Sequence, residues 1–203
     1  MDLPVSIRTH MFIYKTPNVK VYYPTVINLK NRAVEQKVNE QIISTFNKML
    51  IEQYFFDPIL IELIAYFEIK TNLRGILSLN LIVYSFTGGA HGMTIIKSLT
   101  FDVHTGKDYS LNELFKPGSD YEKTLSGIIR QKIKVWDIQL IVDFEGVRSG
   151  QDFYIADSVL VIYFQLYEIT PYAVGFPYFP IPIMDIADSI NPDGPLNRMM
   201  SFT

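Results

Sequence analysis

A chain of 203 residues with 18 Lys and Arg against 21 Asp and Glu, a net charge of -3, offers no positive field for phosphate neutralisation, so nucleic acid is excluded as an expected partner. The absence of Cys rules out disulfides, thiolate nucleophiles and sulfur-ligated zinc, and no apolar run approaches the roughly 18 residues of a membrane span. Such a length suffices for one domain or two small ones that bury about 70% of their unfolded surface. The 13 Tyr and 14 Phe suit strands and recognition surfaces.

In chain order, residues 7–15 and 19–23 read as strands around the turn Thr16-Pro17-Asn18. Val34, Val38, Ile42, Phe46 and Met49/Leu50 then recur at helical spacing, which predicts an amphipathic helix packed on a sheet. Strands follow over 60–71 and 75–86. Leu63, Ala65, Phe67 and Ile69 share one face of the first, and Leu77, Leu79, Leu81 and Val83 one face of the second. The opposite faces carry Tyr66, Glu68, Lys70, Ser78, Asn80 and Tyr84, a pattern that predicts a partly solvated side.

Two capping-box patterns, Ser110 to Glu113 and Ser119 to Glu122, predict helix starts, the second leading a helix to about Val135. A strand pair about Asp157-Ser158 and a proline-limited edge strand in Tyr178 to Met184 complete the pattern. The expected fold is α+β, with antiparallel sheets and two main amphipathic helices packed on them. The expected subdivision is an N-terminal subdomain over 1–86, a C-terminal one over 87–190, the two forming one compact unit, and a loose tail over 191–203.

His91 and His104 invite a catalytic or metal reading. The simpler account treats Gly88, Gly89, His91 and Gly92 as a hairpin loop whose glycines supply positive φ, and His104 to Gly106 as a second turn. No G-x-S-x-G, H-E-x-x-H or Walker pattern organises a nucleophile, a metal or a phosphate, so no cofactor and no metal are implied. The segment Tyr167 to Pro182 is more distinctive, because proline stiffens it while Tyr and Phe supply contact area at low entropy cost. Tyr167, Glu168, Pro171, Tyr172 and Gly175 are its candidate binding residues, whereas Phe176 and Phe179 equally suit a packed crossover. Glu168 has no sequence-adjacent partner that would mark an acid/base pair.

The ordered motifs VYYPTVINLKNRAVEQKVNEQI, GGAHG, SLTFDVHTGKDYSLNELFKPGSDY and FYIADSVLVIYFQLYEITPYAVGFPYFPIPI resemble paired uncharacterised domains of bacterial envelope proteins over residues 5–187. The same pair is similar to the extracytoplasmic part of the anti-sigma-V factor RsiV and to the non-catalytic region preceding the deacetylase domain of PdaC-type peptidoglycan deacetylases. The resemblance implies an α+β fold, a surface that receives lysozyme, and proximity to cell-wall glycan. It carries no sigma-binding segment and no deacetylase domain into this chain.

The leading expectation is therefore a non-enzymatic binding module for a cell-wall polymer or a lysozyme-like protein. A small hydrolase acting on cell-wall glycan, with His91 beside Asp102 or Glu168, is the alternative, and an intracellular interaction domain a third. The first residues show no signal-peptide pattern, which favours a cytoplasmic location, whereas the resemblance favours an extracytoplasmic one.

Overall fold

The computed structural model describes residues 4–200, which fall into two compact units divided between Asp108 and Tyr109. In the first, β1 (Ser6–Tyr14), β2 (Asn18–Ile27), β3 (Glu62–Leu73), β4 (Ile76–Phe86), β5 (Met93–Asp102) and β6 (Lys107–Asp108) line up in sequence order as one six-stranded sheet. The helix α1 (Arg32–Glu52) joins β2 to β3, and these two strands run parallel over Asn18–Val21 and Glu62–Ala65. An all-antiparallel sheet was expected. The single parallel pairing arises because α1 carries the chain from the end of β2 back to the end of the sheet where β2 began, so that Glu62 enters beside Asn18.

The predicted face of α1 is the buried one, with Val38 and Ile42 fully enclosed and Val34, Phe46, Met49 and Leu50 nearly so. It packs with Leu77, Leu79, Leu81 and Val83 of β4 and with Leu99 and Phe101 of β5. On β3 the expected face holds only in part: Leu63 and Ala65 are buried, but Ile69 is 39% exposed where the pairing with β4 shifts register between Ile69 and Thr71. The reverse face is also uneven. Tyr66 and Glu68 are solvated, as expected, while Ser78 and Asn80 of the central strand are buried, each bonded across to β5 through Thr100 (2.9 Å) and Ser98 (2.7 Å).

Two asparagines complete this unit by standing in for strand neighbours. β2 is paired with β3 only as far as Val21, and further along the strand the Asn39 amide on α1 accepts from the Val26 N–H at 2.7 Å and donates to the Val26 carbonyl at 2.8 Å. Asn72 at the end of β3 does the same for both backbone groups of Val5, each at 2.8 Å. Removing such an amide strands two backbone groups, and one left unsatisfied costs about 1–3 kcal/mol. Asn39→Ala should therefore lose stability in that range in urea denaturation, with an unchanged m-value; a loss within error would show that water replaces the amide freely.

At the start of α1, the Asn31 side chain accepts from the Ala33 N–H at 3.0 Å, while Glu35 reaches back to accept from the Leu29 N–H at 2.8 Å and from Arg32 at 2.6 Å. The Leu29 bond lowers the Glu35 carboxyl below its ordinary pKa; burial opposes this and Arg32 adds to it. A carboxylate with a depressed folded-state pKa contributes stability above its unfolded value and loses it as pH falls through the folded one. The gap in melting temperature between wild type and Glu35→Gln should thus be open at pH 7 and close in acid below the Glu35 pKa. A gap independent of pH would assign the effect to shape alone.

The second unit contains a three-stranded antiparallel sheet, β7 (Phe153–Ala156), β8 (Val159–Tyr163) and β9 (Tyr178–Pro182), with α2 (Tyr121–Val135) packed against β9. Leu125 and Ile129 of α2 and Ile155, Leu160, Ile162, Phe179 and Ile181 of the sheet are fully buried. Of the two expected capping boxes, the one at Ser110 forms, Glu113 accepting from the Ser110 N–H at 2.9 Å and opening the 3-10 turn Leu111–Leu114. At α2 the cap is Asp120 rather than Ser119, and its side chain makes no capping bond. Residues 195–200, in the stretch expected as a loose tail, form α3 (Pro195–Met200), whose Leu196 is fully buried and Met199 nearly so.

Candidate functional site

The segment from Tyr167 to Gly175 is held by its own backbone rather than by a regular element. Ile169 and Thr170 are buried, which anchors the middle of the segment in the unit's interior, and the Ile169 carbonyl accepts from the N–H of Ile141 in a neighbouring loop at 3.0 Å. Pro171 then opens a 3-10 turn over Tyr172–Val174, closed by Gly175 at φ +78°. Tyr167 sits in the left-handed region at φ +63°, a conformation uncommon for a non-glycine residue. Its ring is 45% exposed and lies 5.6 Å from the ring of Tyr172, which is half-buried. Ala173 and Val174 are exposed beside them.

Glu168 is not a free carboxylate. One oxygen pairs with Arg148, and the other accepts from the Gln165 N–H at 2.7 Å, a bond that closes the turn leading into Tyr167. Arg148 lies 20 residues upstream in a loop, and no spacing in the sequence points to it. Of the two phenylalanines considered for this segment, Phe179 is in the core and Phe176 half-buried.

The histidine loops are built separately. Gly88 and Gly89, at φ +103° and +98°, turn the chain between β4 and β5, and His91 is exposed with its Nδ1 2.9 Å from the Gly92 carbonyl oxygen. Gly92 itself does not have positive φ, contrary to the sequence expectation. Its missing side chain matters because a Cβ would stand 2.3 Å from the Tyr84 ring and 2.5 Å from the Ser85 carbonyl oxygen. His104 is in the other turn, where Asp102 accepts from the backbone N–H groups of His104 (2.8 Å) and Thr105 (3.0 Å). Asp102 is buried at the far end of β5 from His91, and the nine steps from Met93 to Asp102 alone span about 30 Å at about 3.3 Å per residue. Those two groups therefore do not form an acid/base pair. Among the described residues no three His, Asp or Glu side chains gather to hold a metal, and no helix is long and apolar enough to cross a membrane.

The chain thus defines a pair of α+β units built on sheets, and comparison with known proteins gives that class a place. Residues 14–94 match the family described as Deacetylase PdaC, and residues 112–184 the family described as Protein of unknown function (DUF3298). Among curated proteins the chain is similar to the Peptidoglycan-N-acetylmuramic acid deacetylase PdaC of Bacillus subtilis, 24% identical over 181 residues. That alignment covers 84% of this chain but 38% of the relative's length. Two crystal structures of DUF3298 family proteins share the fold at TM-score 0.72. The one from Bacteroides fragilis is 13% identical, with 97% of each chain covered. The one from Pseudomonas aeruginosa is 17% identical, covering 94% of this chain and 96% of its own.

The loop geometry orders three variants. Gly92→Ala should destabilise most, by about 1–3 kcal/mol, because the new methyl meets a backbone oxygen. Gly89→Val should follow, from backbone strain at positive φ. His91→Ala should melt within a degree or two of wild type. Thermal melts decide the order, and a His91→Ala melt below the glycine variants would give the imidazole a structural or ligand-binding role that the loop alone does not require.

Proposed function

We propose that this chain is a non-enzymatic recognition module for cell-wall glycan, with the Tyr167–Gly175 segment as its contact surface. The observation that carries the reading is the tyrosine pair, Tyr167 and Tyr172, presented on a proline-stiffened turn whose middle is anchored in the interior. A pyranose ring offers an apolar face to stack on such rings and hydroxyls along its edge. Tyr hydroxyls and the Arg148–Glu168 pair supply donors and acceptors for that edge. Because the segment is already ordered, little entropy is lost when the ligand docks. The similarity to a peptidoglycan deacetylase over a region spanning 38% of its length supports a cell-wall setting.

A basic lysozyme-like protein is the second reading. It is supported by the resemblance to RsiV and by charge, since residues 109–203 hold 12 Asp and Glu against seven Lys and Arg, a net of -5. Acidic surfaces steer basic partners and make association sensitive to salt.

Calorimetric titration with soluble peptidoglycan fragments and with lysozyme separates the two. A buried aromatic anchor commonly contributes about 2 kcal/mol, or about thirtyfold in affinity, so Tyr172→Ala should weaken the productive ligand by that factor. Tyr167→Ala should behave alike. Glu168→Gln should change the salt dependence more than the affinity if lysozyme is the ligand. Binding unchanged in both tyrosine variants would move the contact surface elsewhere.

A further inference from the structure

The single tryptophan of the chain, Trp136, is the residue that follows the last turn of α2, and its indole is 47% exposed. A large apolar ring left in solvent at a helix end is not explained by packing alone. The ring is nevertheless held in place: the buried Phe179 ring of β9 lies parallel to it, at 6.0 Å between centroids with 2° between planes, and the Lys132 ammonium sits over it at 4.9 Å. The indole forms one wall of a cavity of about 400 Å³, within the range of about 300–1,000 Å³ usual for small-molecule sites. Val135 and Pro182 continue the apolar wall, and Gln131, Lys132 and Asp185 supply its polar lining.

We propose that this cavity is a saccharide site for an N-acetylated amino sugar, stacked on Trp136. The lining divides as such a ligand does. The apolar face of a pyranose matches the indole, which is the best aromatic platform for that purpose because it is the largest. The acetamido group combines a methyl, an N–H and a carbonyl oxygen in one substituent. Val135 and Pro182 suit the methyl, the Asp185 carboxylate accepts from the N–H, and the Lys132 ammonium or Gln131 amide donates to the carbonyl. Lys132 is the adaptable member, since its flexible stem lets the ammonium leave the indole face and turn to the ligand's polar edge without backbone movement. The polar groups of the lining are long or exposed side chains, so an empty site keeps them hydrated at no cost of buried charge. Nothing in the assignment depends on the Tyr167–Gly175 segment; the two share only a ligand class.

Because Trp136 is the chain's only tryptophan, its fluorescence reports on this cavity. The probe is the tetrasaccharide of N-acetylglucosamine, with cellotetraose, which lacks the acetamido groups, as the comparison. A saturable change in emission is expected with the first and a change at least about tenfold weaker in affinity with the second. Asp185→Asn and Gln131→Ala should each weaken the acetylated ligand by roughly tenfold, the loss of one good hydrogen bond. Tyr172→Ala should leave the titration as in wild type, which keeps failure of this site distinct from failure of the tyrosine segment. Trp136→Ala, checked for folding by its melt, should abolish binding at this site in calorimetry performed in the Tyr172→Ala background. No saturable emission change, equal affinity for both tetrasaccharides, or a titration indifferent to both polar-lining substitutions would overturn the proposal.

Discussion

Ser78 and Asn80 are buried polar side chains on the central strand of the first sheet, and their cross-strand bonds to Thr100 and Ser98 set the register on which that unit depends. A slip of one residue between β4 and β5 would turn Leu77, Leu79 and Leu81 away from α1 and leave two hydroxyls and an amide without partners in the interior. Hydrophobic burial alone favours many compact arrangements, whereas an unsatisfied buried amide or hydroxyl costs about 1–3 kcal/mol and disfavours the wrong ones. Once β4 and β5 are fixed, Phe101 and Leu99 complete the floor for α1, and the turn after β5 is closed by Asp102.

The elements legible in the sequence are those with a strong period and a single buried face. Val34 to Leu50 reads as a helix and is one, and the strands flanking it follow from alternation. What could not be read depends on distance. The parallel pairing of β2 with β3, the exposure of Ile69 at a bulge, and the burial of Ser78 and Asn80 are decided by neighbours far along the chain, and no local pattern carries that information. The capping boxes show the same limit at small scale. Ser110 and Ser119 have equivalent sequence contexts, yet only the first closes its box, because α2 begins one residue later, at an Asp120 cap.

The candidate site divides along the same line. Proline, tyrosine and glycine in Tyr167 to Gly175 mark a stiff, aromatic turn in the sequence, and the order of the segment follows from them. Its chemistry does not, because Arg148 reaches Glu168 from a separate loop and Tyr167 adopts a left-handed backbone that no residue type announces. Trp136 was equally hidden: at the end of an amphipathic pattern a tryptophan reads as one more core residue, and only its 47% exposure shows otherwise.

The prolines of the last strand bear on how the second unit can make contacts at all. The Ile183 N–H donates to Ser158 and the Phe164 N–H to the Pro177 carbonyl, so the odd-numbered residues of β9 face β8 and the even-numbered ones direct their backbone groups outward. Two of those even positions are Pro180 and Pro182, which have no N–H to offer. An edge built this way accepts no added strand along its length, since alternate donors are missing. Recognition by strand addition is thereby closed to β9. What the same stretch leaves available are side chains: a stiff turn displaying Tyr167 and Tyr172 before it, and Phe179 within it supporting the indole of Trp136. The proline content that blocks backbone pairing thus leaves ring faces and polar side-chain edges, rather than a row of backbone donors, as what the β9 side of this sheet presents.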